Sequence, residues 1–286
     1  MGGALLQATG SVTSVLRRTF QILSGVGEKT EQKLWQRGIT TWSDLREAGD
    51  DRLPGRVQRR REAHEDQLAM AEHHLADDHT APFDRWLPDR EIWRILQEAG
   101  DRVMYLDIET TGLSYPEGRA TVVGAHTDAE GTQLLVRGQD LSSRAVQDLI
   151  DDAACLVTFN GRRFDVPWLE REFDVSVDVP NVDLMYAFRR LDITGGLKSI
   201  EKQLGLDRGE EIDDVGGYEA VKLWRRWERG NHDALERLLT YNEADVVNMQ
   251  PLADIAYERL KAEVYDPHEP DDPQAQQAEI PVEDAG

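Results

Sequence analysis

The stretch Val103-Met-Tyr-Leu-Asp-Ile-Glu-Thr-Thr-Gly-Leu113 decides how the chain is read. It opens with β-branched, aromatic and aliphatic residues, the pattern of a strand. Side chains alternate across a strand, so Asp107 and Glu109 project to one face while Leu106 and Ile108 project to the other. Two carboxylates two residues apart at a strand end repel one another unless cations sit between them. Hard oxygen ligands select magnesium or manganese over zinc.

Outward from this strand, the text alternates. TVVGAH and TQLLVRG follow after short turns, which predicts antiparallel neighbours for the first strand. A helix near 143–152, the strand ACLVTFN, a helix from Asp165 and a short strand near PNVDL then predict parallel addition. Helices continue to about residue 262. The expected fold is α/β, a mixed sheet of about five strands with the first three antiparallel, flanked by helices.

Two further acids fall at element ends. In LVTFNGRRFDVPWL, Asn160 stands at the exit of an apolar strand and Asp165 at the start of a helix. In LERLLTYNEADVVNM, Tyr241 and Asp245 are i and i+4 on one helix face, and Leu235, Leu238, Leu239 and Val246 supply its buried side.

Each motif alone has a plainer reading. A lone Asp-x-Glu is more often a solvated strand edge than a metal site, and Tyr-x-x-x-Asp is nearly uninformative. Together, in order and each on its expected element, the three segments resemble the three motifs of the DEDD superfamily of 3′–5′ exonucleases: the Asp-x-Glu strand, Asn-x-x-x-Phe-Asp and Tyr-x-x-x-Asp. The resemblance covers roughly residues 83–262 and looks closest to the ribonuclease H-like group of predicted exonucleases. The histidine subclass needs His five residues before the last Asp, where this chain has Thr240; Tyr241 matches the tyrosine subclass instead.

That resemblance implies a ribonuclease H-like fold and two divalent cations, Mg2+ or Mn2+. Asp107, Glu109 and Asp245 would hold one, Asp107 the second, and Asp165 would help through water. Tyr241 would orient the attacking water. Thr110, Thr111, Gly112 and Leu113 would line the pocket for the terminal nucleotide, with Asn160 and Phe164 supporting substrate or the second-motif loop. The implied partner is nucleic acid, a single-stranded 3′ end of DNA or RNA. Two rival readings stay open: a non-catalytic nucleic-acid-binding scaffold on the same fold, and a structure-specific endonuclease. Asp183, after the short strand, is read as a capping residue more readily than as a site residue.

Ahead of this region, residues 1–18 are expected to be poorly structured. Residues 19–50 read as a small all-α module of short helix, turn and two more helices, followed by a charged helical connector over 51–82 and the main domain over 83–265. Thr41 and Ser43 are candidate caps. GVGEKTEQKLWQRGI resembles a helix-hairpin-helix, in which Gly25, Gly27, Lys29 and Thr30 would approach a phosphate without sequence preference. Arg56, Arg59, Arg60 and Arg61 extend that surface or pair with Glu62 and Glu65. His64, His73, His74 and His79 have no regular metal spacing around them. Residues 266–286 are Pro-rich and acidic and read as a disordered tail.

Composition adds a tension. The net charge is −22, from 55 acidic against 33 basic residues in 286. Affinity for phosphate backbones normally comes from lysine and arginine, and the stretch RGEEIDDVGGYEA is acidic where a nucleic-acid channel would carry bases. A cytoplasm with very high salt resolves this, because screening shortens electrostatic reach to roughly 3 Å at 1 M. The single cysteine, Cys155, allows no intramolecular disulfide and fits a reducing compartment. No stretch reaches the length of a membrane span, so no membrane partner is expected.

Overall fold

The structure is a computed structural model and describes residues 14–206 and 216–265. Its strands are β1 (Val103–Thr110), β2 (Ala120–Thr127), β3 (Gly131–Val136), β4 (Cys155–Thr158) and β5 (Asn181–Asp183). They form one sheet in the order β3-β2-β1-β4-β5. β1 pairs antiparallel with β2 and β2 with β3, whereas β4 adds parallel to β1 and β5 parallel to β4. The short turns after β1 and β2 allow only antiparallel return, and the helical crossovers before β4 and β5 allow parallel addition. This is the mixed, helix-flanked sheet read from the alternation of the sequence.

The helices are α1 (Glu28–Trp35), α2 (Trp42–Glu47), α3 (Gly55–Gln58), α4 (Arg61–Ala76), α5 (Ala81–Trp86), α6 (Leu96–Ala99), α7 (Ser143–Asp152), α8 (Asp165–Phe173), α9 (Leu184–Arg190), α10 (Leu197–Leu204), α11 (Gly217–Trp227) and α12 (His232–Tyr265). On one face of β1, Leu106 and Ile108 pack with Val146 and Ile150 of α7 and with Trp168 and Leu169 of α8. The other face, which carries Asp107 and Glu109, is covered by α12. At 34 residues, this helix extends about 50 Å, and its far end, Tyr265, reaches the amino-terminal helices.

There the Tyr265 hydroxyl donates to the Val15 carbonyl at 3.0 Å, and its ring lies 5.2 Å from that of Trp35. One apolar cluster therefore runs from Val15 and Leu16 through Leu34 and Trp42 to Val157 and Leu252. Val15 and Leu16 are buried and Leu16–Arg18 form a 3-10 turn, so the described part of the residues expected to be unstructured is packed.

The helix expected before Gly25 does not form. Those residues are held by a side chain instead: Glu31 of α1 accepts from the Thr19 hydroxyl at 2.8 Å, the Phe20 amide at 2.7 Å and the Gln21 carboxamide at 2.6 Å. A buried carboxylate that satisfies local donors outcompetes a helical turn. Thr41 caps α2 in a capping box with Asp44. Residues 266–286, and with them the tail reading, lie outside the described residues, as do 1–13 and 207–215, which include the first part of the acidic stretch.

Candidate active site

β1 supplies Asp107 and Glu109 from consecutive positions on one face, and α12 crosses that face with Asp245 pointing back at them. Carboxylate oxygens of Asp107, Glu109 and Asp245 lie within 4.8 Å of one another. Glu109 and Asp245 are buried and Asp107 is half-buried. Among the described residues, no other group of three acidic, histidine or cysteine side chains converges this way.

Asp165 reaches the same end of β1 from the first turn of α8. Its Oδ1 accepts from the Ile108 amide at 3.0 Å, the backbone link between the two strand acids. The loop that delivers it depends on two unusual backbone positions. Asn160 adopts a left-handed conformation with φ 65°, tolerable for Asn. At Gly161 any Cβ would overlap Thr158, so no other residue fits the turn. Asp183 at the end of β5 accepts from the amides of Asn160 at 2.8 Å and Met185 at 3.1 Å. It caps α9 and pins the loop, the structural role read for it.

Electrostatics follow from this crowding. Burial, then the neighbouring Asp245, Asp165 and Glu109, drive the Asp107 carboxyl well above its ordinary range, against a hydrogen bond from Asn242 that favours the charged form. Burial followed by Asp245 and Asp165 does the same to Glu109. Asp165 is pushed up to about 7, chiefly by burial, while the Ile108 amide works the other way. Buried acids that cannot all ionise together are the donor set that a divalent cation stabilises. The residues present therefore fit such an ion.

Asn242 escaped sequence reasoning. It lies on α12 beside Tyr241, fully buried, and its Nδ2 donates to Asp107 Oδ2 at 2.7 Å. Its approach is possible because the residue opposite Asp107 on β2 is Gly124, where a Cβ would overlap Asn242 Oδ1. A glycine inside the apolar strand TVVGAH was the available signal, since strand glycines often mark close approach. Lys198 of α10 also went unread; its Nζ sits 5.2 Å from the ring centroid of the buried Tyr241.

The remaining residues singled out from the sequence are spread around this centre. The Thr110 hydroxyl donates to the Gly112 carbonyl at 2.6 Å, and the Thr111 hydroxyl accepts from the Arg119 amide at 3.0 Å, which shapes the turn after β1. Leu113 at its tip is 92% exposed, available to a ligand. Phe164 packs on Trp168 with ring centroids 5.2 Å apart. In the amino-terminal segment, Gly25 has φ 81° and lies beside the Arg56 and Arg60 side chains, and Gly27 precedes α1, which carries Lys29 and Thr30. Arg61 pairs with Asp50 and Glu65. His74 and His79 approach one another at 3.1 Å without a third ligand among the described residues.

A model of the RNase H superfamily matches residues 104–257, more than half of the chain. The chain belongs to the RNase H superfamily. The match begins in β1 and ends in α12, and so contains all four acids. No curated protein matches the chain. Among solved structures, the family B DNA polymerase from the hyperthermophilic archaeon Pyrobaculum calidifontis is similar at 17% identity over 56% of this chain and 24% of its own, with TM-score 0.42. A protein described as the apo form of the nuclease shares 22% identity over 60% of this chain and 81% of its own, with TM-score 0.43. Brucella melitensis NrnC bound to pGG shares 18% over 66% and 92%, with TM-score 0.32. The chain thus spans about a quarter of the polymerase. Among the described residues no helix is long and apolar enough to cross a membrane.

Proposed function

We propose that this RNase H superfamily member is a metal-dependent 3′–5′ exonuclease of the tyrosine DEDD subclass, acting on single-stranded ends of DNA or RNA. The convergence of Asp107, Glu109 and Asp245 within 4.8 Å carries the reading. Two divalent cations, Mg2+ or Mn2+, would supply Lewis acidity and a water of lowered pKa for in-line displacement at phosphorus.

The chain's own residues do the rest. Asp107, Glu109 and Asp245 would hold the ions. Asp165 acts through water and, by its bond to the Ile108 amide, fixes the spacing of the strand pair. Tyr241 orients the attacking water, and the Lys198 ammonium over its ring limits where that side chain can move. Thr110, Thr111, Gly112 and Leu113 receive the terminal nucleotide, while Asn160 and Phe164 support the loop on its far side. The segment around Gly25, Gly27, Lys29 and Thr30 is a second, sequence-independent phosphate contact of helix-hairpin-helix type, with Arg56 and Arg60 beside it. The division into this module, a connector and the RNase H-like domain over 83–265 describes the chain's organisation. The charge of −22 suits a cytoplasm of high salt.

Digestion of 5′-labelled single-stranded DNA and RNA with Mn2+ in high salt tests the reading. A ladder shortening one nucleotide at a time, blocked by a 3′-terminal modification and absent with Asp245→Asn, is the expected result. Internal cuts on 3′-blocked strands would make the chain an endonuclease, and equal activity in Asp245→Asn would remove the site.

A further inference from the structure

A group of arginine side chains and aromatic rings lies away from the acid cluster. Arg90, Arg162, Arg163 and Arg190 surround a cavity of about 370 Å³ whose wall includes Trp93 and Tyr186. Its volume lies within the range of small-ligand pockets, about 300–1,000 Å³. The carboxylates of Asp89 and Asp183 line it too, and Arg90 and Arg190 are already paired, with Glu28 at 2.8 Å and Glu91 at 3.0 Å respectively. Asp183 is already occupied by the amides of Asn160, Arg162 and Met185, and Asp89 by Arg162 at 3.2 Å. Arg163 is exposed and has no acidic partner among the described residues. Tyr186 leaves 38% of its surface open. Trp93 is buried, and its indole N–H has no acceptor among the described residues.

Position links this cavity to the acids. Arg162 and Arg163 belong to the loop between β4 and Asp165, and Asp183 ends β5. Strands β1, β4 and β5 are parallel, so the acid cluster and the cavity lie along the same, carboxyl edge of the sheet, where open α/β sheets bind ligands. Two strand spacings separate β1 from β5, about 10 Å. The turn after β1, proposed to receive the terminal nucleotide, joins β1 to β2, and the cavity lies on the opposite side of β1.

We infer that this cavity is a second nucleotide subsite, in which an unpaired nucleotide upstream of the 3′ end stacks its base on Tyr186 and lays its phosphate against Arg163. The proposal rests on the exonuclease reading for its direction, but not for its chemistry. Base stacking on an aromatic ring tolerates any sequence, and arginine suits phosphate through its planar fork of donors. A duplex is excluded because its bases are not free to stack.

Binding of fluorescein-labelled ten-nucleotide DNA and RNA single strands to the Asp107→Asn protein, followed by anisotropy across a salt series, tests this without turnover. Arg163→Ala and Tyr186→Ala, added singly, should each weaken binding at least about fivefold, the lower end of what a lost stacking or phosphate contact does. Arg163→Ala should also reduce the salt slope by about one. Unchanged thermal midpoints verify folding, and a matched duplex should respond to neither change. A fivefold loss in either variant supports the subsite, and the DNA and RNA arms say which strand it takes; if neither variant reaches it, the subsite is wrong. Wild-type protein that never shortens a strand, yet loses affinity in these variants, would sink the exonuclease reading and leave the subsite standing.

Discussion

Asn242 donates to Asp107 across the seam between α12 and β1 at 2.7 Å, through a gap left open by Gly124. The helix that carries Tyr241 and Asp245 is therefore registered against the strand that carries the other two proposed ligands. Outer partners of metal ligands typically matter by about 10–100-fold in affinity or activity. Asn242→Ala should weaken Mn2+ binding and cleavage by that order while the fold survives. Gly124→Ala should do the same by displacing Asn242, with an added stability loss of about 1–3 kcal/mol for overpacking. Calorimetric Mn2+ titration beside urea unfolding separates the two effects.

Metal-free protein should lose stability as pH rises. The Asp165 carboxyl is raised from 3.8 to about 7 in the folded state, and Asp107 and Glu109 shift the same way. The native state then holds protons that the unfolded chain has released, so stability falls with pH between these values. In EDTA the thermal midpoint should drop from pH about 5 to about 8, less steeply in Asp165→Asn. Saturating Mn2+ should reverse the drop, and a midpoint indifferent to both pH and Mn2+ would mean that the acids are not under this strain.

Removing the Tyr241 hydroxyl separates water positioning from ion holding. Tyr241→Phe keeps the ring that packs with Val122 and Leu238, so Mn2+ affinity should stay within about twofold while the cleavage rate falls about 10²–10⁴-fold, the usual scale for a positioned proton-transfer group. Single-turnover kinetics reads the rate directly. A variant that cleaves at the wild-type rate would leave the hydroxyl without a role.

The amino-terminal helices are fastened by a buried charge network. Arg94 contacts Glu31 at 3.0 Å and Glu91 at 2.8 Å, and both pairs are 1% exposed. Glu31→Ala leaves Arg94 short of one partner and frees the Thr19, Phe20 and Gln21 donors, which should cost about 3–5 kcal/mol. Urea unfolding gives the number, and limited proteolysis should show new cleavage before Gly25. A loss below about 1 kcal/mol would mean that this network is not what fixes the segment.

Strand number and direction were legible because they depend on local quantities: the turn after Glu109, the alternation of Leu106 and Ile108 with Asp107 and Glu109, and the helical crossovers before Cys155 and Asn181. The elements bearing Asp165 and Asp245 were legible for the same reason. What stayed hidden depends on contacts between distant segments. Glu31 reads as a solvated helix acid until Arg94 is seen beside it, more than sixty residues away. The pairing of Asn242 with Asp107 needs the register of β1 on β2, which no single segment contains. Lys198 sits on the amphipathic helix α10, and only tertiary packing brings it to Tyr241.

The acid cluster as a cation site is most directly measured by calorimetric titration of Mn2+ into wild-type protein and Asp107→Asn, a change of shape so small that the fold should persist. Saturable binding in the wild type that is abolished or weakened at least about 10-fold in the variant is the predicted result. Identical isotherms, or no saturable binding by the wild type, would contradict it.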